Sequence, residues 1–146
     1  MSSGLEGLYQ EVIMDHSRKP HGHGLKEGAV AESHQINPTC GDEITLRVHA
    51  GEAGIASISW EGHGCAISQA SASLLSDLIV DLDESSVRER IAAFRELMRS
   101  RGELEGDDEL LGDAIVLAGV SRYVARVKCA MLAWVALEDA LQRASA

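Results

Sequence analysis

Between Glu43 and Trp60 apolar residues recur at every second position, whereas beyond Cys65 they recur at every third or fourth. That change of period constrains the fold more than any other feature of the chain. "EITLRVHA" (43–50) sets Ile44, Leu46 and Val48 against Thr45, Arg47 and His49, the alternation of a half-buried strand. "IASISW" (55–60) repeats the alternation after the turn "GEAG", and 29–36 reads as a weaker extended segment. Three such segments predict a small antiparallel sheet with one face covered. Upstream, Leu5, Leu8, Val12 and Ile13 predict a helix over 5–17, which "RKPHGHG" ends. Downstream, 65–82 is helix-like and rich in small residues. Over 85–101 a second helix sets Val87, Ile91, Phe94, Leu97 and Met98 on one side. An acidic connector, 102–113, has room for one helical turn, and a long last helix is expected over 123–144. The order predicts an α+β fold, a three-stranded antiparallel sheet with helices packed mainly on one face. No repeat or low-complexity stretch interrupts the chain, so residues 1–146 are expected to form a single domain.

The formal charge is −10 and the aromatic content is 3%. So acidic a body argues against nucleic acid as a partner, because phosphate neutralisation needs clustered Lys and Arg. The N-terminal "MSSGLEGLYQ" has no basic stretch followed by an apolar run, so no signal peptide is expected. The apolar stretch "CAMLAWVAL" (129–137) is too short to span a bilayer, and no membrane association is expected. Three cysteines cannot all pair within one chain. A cytoplasmic location, where thiols more often bind metal or catalyse than bridge, fits best.

Cys40 and Asp42 flank Gly41 in "INPTCGDEITL" (36–46). At i and i+2 in an extended stretch they project to the same side, and Gly41 tolerates the positive φ of a tight turn. Asn37 and Pro38 help to fix that turn. Taken alone, the pair reads more readily as a core thiol beside a turn or helix-capping Asp than as two ligands. Cys65 follows Gly62 and Gly64 at a strand-to-helix junction, where free N–H groups and the helix dipole favour a thiolate. Cys129 lies in "RYVARVKCAML" with cations at Arg122, Arg126 and Lys128, although a Cys in an apolar helix is usually just packed. Residues 81–113 hold eleven acids and five arginines, whereas 121–128 hold three bases and no acid. A Zn²⁺ ion with three thiolates and a carboxylate carries a net charge of about −2, which such bases would offset. Three cysteines and one Asp from three segments could therefore supply a four-coordinate zinc site.

"LYQEVIMDH", "NPTCGDEITLRV", "GHGCAISQASASLL" and "LGDAIVLAGVSRYVARVKCAMLAW" together resemble the SufU branch of the U-type, IscU-like iron–sulfur cluster assembly proteins, over about 5–140. IscU-type scaffolds of that family carry a His immediately before the last cysteine and a Leu-Pro-Pro-Val-Lys segment. Here Lys128 occupies the His position and "RYVARVK" has no proline. The added length around 98–113 matches the SufU insertion. The resemblance implies zinc held by Cys40, Asp42, Cys65 and Cys129. It further implies a cysteine desulfurase of the SufS type, PLP-dependent, as the partner that supplies persulfide sulfur. Cys40 would be the sulfur acceptor, Arg126 would sit at the point of ligand exchange with the partner, and a downstream iron–sulfur scaffold would take the sulfur on. Asp42, the harder ligand among thiolates, would keep the site exchangeable. Two departures are Val124, where the family usually has Pro, and His63, where a polar amide is more usual.

Two other readings compete. The same ligands could assemble a [2Fe–2S] cluster, making the chain a scaffold and iron–sulfur the cofactor. Cys65 could instead serve a hydrolase with His63 or His49, although no orienting third residue is evident. His63 reads as a solvent-facing loop residue. "HGHG" reads as a flexible loop with two exposed imidazoles, His21 and His23, because no carboxylate or thiol accompanies it in sequence.

Overall fold

The computed structural model describes residues 3–145. Its elements run α1 (Ser3–Arg18), β1 (Ala31–Asn37), β2 (Asp42–Gly51), β3 (Gly54–His63), α2 (Ala66–Leu78), α3 (Glu84–Arg99), α4 (Asp108–Leu111), a 3₁₀ segment (Gly112–Arg122) and α5 (Val124–Ser145). The three strands form one antiparallel sheet in the order β1-β2-β3. Alternation does what it promised: Ile44, Leu46 and Val48 are buried, while Glu43, Thr45, Arg47 and His49 between them keep partial access to water. The register sets Leu46 opposite Trp60 and Val48 opposite Ile58, so the apolar rows of β2 and β3 share one face.

Helices cover that face. α5 packs on β1 and β2, α2 packs on β3 and α5, and α1 lies on α2. Small residues make the close approach of α2 feasible: Ala70, Ser71, Ala72 and Ser73 are all buried. The Ser71 hydroxyl donates to the Ala130 carbonyl at 2.6 Å and accepts from Trp134 Nε1 at 2.9 Å, so two buried polar groups are satisfied between α2 and α5. Trp134 also stacks on Phe94, with ring centroids 3.9 Å apart and planes 6° from parallel. Arg95 grips Glu138 with two bonds of 2.8 and 3.0 Å, which pins α3 to α5.

Three differences from the sequence reading have local causes. β3 continues through Glu61–Gly62–His63, because Glu43 pairs with His63 and Ile44 with Gly62. α2 stops at Leu78 rather than 82, since Leu82 leaves the helix to exchange backbone bonds with Ile55. Residues 112–122 form a long 3₁₀ segment that the periodicity did not announce. Val124, the family departure, is simply the first residue of α5.

Trp134 is fully buried, so Trp134→Ala removes both the stack and the hydroxyl bond. The cost should be about 3–5 kcal/mol in urea unfolding. Trp134→Phe keeps an aromatic ring against Phe94 and should cost roughly half of that or less.

Candidate metal centre

β1 and β2 are joined by the four residues Pro38–Gly41, closed by the Asn37–Asp42 pair. Asn37 is buried; its side-chain oxygen accepts from Thr39 N at 3.1 Å, and its carbonyl accepts from Gly41 N at 2.8 Å. Gly41 takes φ 77°, the left-handed conformation that lets the chain re-enter the sheet at Asp42. Cys40 thus stands exposed at a hairpin tip, and Asp42 is buried at the root of β2. The turn, and not strand alternation, brings the two together.

Cys65 occupies the N-cap position of α2 in extended geometry, φ −72° and ψ 170°. Its N–H donates to Asp42 Oδ1 at 3.1 Å, and its thiol lies 3.5 Å from Oδ2. Asp42 therefore closes the helix N-terminus and also meets the thiol there. Gly64 makes this approach possible, because a Cβ at 64 would fall 2.6 Å from Asp42 Oδ1 and 2.4 Å from Ser68 Oγ. Cys129, one and a half turns into α5, is buried, and its sulfur lies 3.6 Å from that of Cys40.

The ligand atoms of Cys40, Asp42 and Cys129 all lie within 4.8 Å of one another, and Cys65 joins them through Asp42. Three remote segments thus converge on one carboxylate. Burial alone would raise the Asp42 pKa. Hydrogen bonds from the thiols of Cys40 and Cys129, and from the Cys65 N–H and thiol, outweigh burial and lower it. Cys129 moves the opposite way: burial first, then its bonds to Asp42, Cys40 and Cys65, push its thiol far up. Without a cation the carboxylate holds the charge and the Cys129 thiol keeps its proton.

The donor set fits a tetrahedral ion of the zinc class. Two sulfurs bound at about 2.3 Å stand roughly 3.8 Å apart in a tetrahedron, and a sulfur and a carboxylate oxygen about 3.5 Å apart. The Cys40–Cys129 and Cys65–Asp42 separations of 3.6 and 3.5 Å are close to those edges.

Arg126 is exposed one turn before Cys129, on the same side of α5. With Cys65, Arg122 and Tyr123 it lines an open groove of about 1310 Å³ between α1 and the acidic connector. Tyr123 and Val124 are 63% and 64% exposed, an apolar pair beside the two arginines. The groove was invisible in the sequence, since Tyr9, Cys65, Gly102 and Arg126 meet only in the fold.

The histidines fall in different places. His63 ends β3 with its side chain 76% exposed and 3.8 Å from Glu43, a solvent-facing residue on a strand rather than in a loop. His49 hydrogen-bonds Ser59 at 2.8 Å, seven residues and roughly 23 Å along β2 from Asp42. It does not approach Cys65, which removes one base from the hydrolase reading. The two imidazoles of "HGHG" are exposed as expected, but the flexible loop without an acidic neighbour is corrected. Trp60 Nε1 donates to the His21 carbonyl at 2.9 Å, and backbone bonds tie Gly22 and Gly24 to Trp60. The loop is therefore stitched to β3, His23 packs edge-on against Trp60, and a carboxylate, Asp77, lies 2.8 Å from His21.

Comparison with known proteins bears on all of this. Residues 8–130 match the NifU-like N-terminal domain family. The chain is 39% identical over 144 residues to the iron–sulfur cluster assembly scaffold protein IscU of Streptococcus pyogenes serotype M1, covering 98% of this chain and 88% of that one. It is 36% identical over 143 residues to the zinc-dependent sulfurtransferase SufU of Bacillus subtilis (strain 168), covering 97% and 95%. Among solved structures, a SUF-system iron–sulfur cluster assembly scaffold protein from Fervidobacterium islandicum AW-1 superposes with a TM-score of 0.82 at 37% identity, covering 90% and 94%. The N-terminal NifU-like protein of Brucella abortus shares the fold at TM-score 0.85 and 18% identity, with 98% of each chain covered. With its sheet, its helices and nearly its whole length accounted for in this way, the chain belongs to the NifU-like N-terminal domain family of iron–sulfur cluster assembly proteins.

Proposed function

We propose that the chain is a zinc-dependent sulfur acceptor that takes persulfide sulfur from a cysteine desulfurase of the SufS type and passes it on to a downstream iron–sulfur scaffold. The observation that carries this reading is the contrast in access within one cluster. Cys129 and Asp42 are buried, Cys65 is half-buried, and Cys40 is exposed at a hairpin tip. Three residues suited to holding an ion are thus combined with one thiol that can leave it. The Bacillus relative, named a zinc-dependent sulfurtransferase, supports the same reading.

Zinc, when bound, would hold these sulfurs as thiolates at neutral pH, against the burial that keeps a thiol such as Cys129 protonated. Everything else falls to the chain. Asp42, Cys65 and Cys129 hold the three inner corners. Cys40 Sγ attacks the outer sulfur of the partner's persulfide: a new Sγ–S bond forms, the partner's S–S bond breaks, and its cysteine leaves as a thiolate. Arg126, Arg122 and the exposed Tyr123–Val124 pair give the partner a basic and apolar landing beside the groove.

The scaffold reading has in its favour the names of the streptococcal relative and of the Fervidobacterium structure, both of which are called scaffold proteins. Purified protein decides between the two. About one zinc per chain and no colour supports sulfur transfer, whereas brown, iron-bearing protein supports the scaffold.

Zinc that joins a hairpin, α2 and α5 should stabilise the fold, so verified chelation should lower the melting temperature by about 10 °C. An unchanged melt counts against a structural role for the ion. Arg126→Ala should weaken sulfur transfer about tenfold at limiting partner while zinc content stays constant. Wild-type transfer across a partner titration would exclude that docking face. Cys40→Ala should keep most of its zinc and lose stimulation of the desulfurase, whereas Cys129→Ala should lose zinc itself. Zinc per chain and desulfurase turnover, read side by side, check both. If Cys40→Ala still accepts labelled sulfur, another thiol is the acceptor.

A further inference from the structure

We propose that His16, His21 and Asp77 form a second metal site, separate from the cysteine cluster, that takes a borderline divalent cation such as Zn²⁺. Their ligand atoms lie within 4.8 Å of one another, and the three come from α1, the loop after it and α2. His21 Nδ1 stands 2.8 Å from both Asp77 carboxylate oxygens. The His16 and His21 rings are 4.8 Å apart between centroids. Two imidazoles and a carboxylate form a donor set suited to zinc and its neighbours, with positions left for water.

The supporting groups are also present. Metal-binding histidines ordinarily have their second ring nitrogen fixed by a hydrogen bond. His16 is 8% exposed, and its Nδ1 lies 2.6 Å from Ser73 Oγ, which orients the ring and leaves Nε2 unengaged by that hydroxyl. The same hydroxyl accepts from the His21 backbone N–H at 2.7 Å, which sets the second imidazole beside the first. The loop cannot swing away easily, because Trp60 holds His21, Gly22 and Gly24. Burial, and then His21, push His16 towards the neutral form that donates a lone pair, while Asp77, Asp113 and Asp15 supply negative potential. Asp77 lies twelve residues beyond Cys65, roughly 18 Å along α2, so the two sites do not share ligands.

Full-length protein, desalted to whatever metal it retains, is titrated with Zn²⁺ by calorimetry. Wild type is compared with His21→Ala, Asp77→Asn and the control His23→Ala. His21 and Asp77 are about half-exposed, at 54% and 49%, so neither substitution should unfold the chain. Wild type and His23→Ala should take up one further equivalent. His21→Ala and Asp77→Asn should lose it, or bind it more than about tenfold more weakly. The comparison is between variants, so it does not depend on what the cysteines hold. Zinc uptake by both site variants equal to that of wild type would overturn the proposal.

Discussion

One carboxylate organises the centre of this molecule. Asp42 is 3% exposed, begins β2, closes the N-terminus of α2 through the Cys65 N–H, and lies among the thiols of Cys65, Cys40 and Cys129. A buried charge without partners costs several kcal/mol, so the hairpin, the start of α2 and the second turn of α5 are held together around it. The hydrophobic face of the sheet explains why α5 and α2 lie on β1–β3. It does not explain why their cysteines meet at one end. The carboxylate does.

This arrangement suits a centre whose cation comes and goes. In the metal-free state Asp42 keeps its charge and the surrounding thiols act as donors. On the proposed metal binding the thiol protons would leave, and the same oxygens and sulfurs would turn to the ion. Neither state strands an unsatisfied buried group. The ligand atoms of Cys40, Asp42 and Cys129 already lie within 4.8 Å of one another, and Cys65 stands 3.5 Å from Asp42 Oδ2.

The strands and main helices were legible because their burial is periodic and local. Ile44, Leu46 and Val48 alternate, and Val87, Ile91, Phe94, Leu97 and Met98 follow helical spacing, all on faces the structure buries. The four donors were individually visible as residue types at turns and helix starts, and the resemblance to one family joined them. Two features were not legible. The run "AIVLAGV" (114–120) is apolar on nearly every position, so it carries no period to betray its 3₁₀ form. The environment of "HGHG" depends on Asp77, 56 residues away from His21, and on Ser73 and Trp60, none of which local pattern could connect. Sequence neighbours showed that the imidazoles are exposed but missed the carboxylate of His21, which a helix packed across from it supplies.

The choice of Asp rather than a fourth cysteine at position 42 follows from the same geometry. A thiolate there would offer one large sulfur. It could not accept the Cys65 N–H at 3.1 Å through one atom while meeting the Cys65 thiol at 3.5 Å through another. A carboxylate has two oxygens and divides the tasks, Oδ1 holding the helix start and Oδ2 facing the thiol. It is also a harder and less tightly held ligand for zinc than a thiolate, so the set gives up some affinity. Lower affinity costs such a centre little if its exposed corner, Cys40, must leave and return while the inner three remain. On the proposed function, the buried position of Asp42 and the exposed position of Cys40, two residues apart across Gly41, would express one requirement: a site rigid at its base and open at its tip.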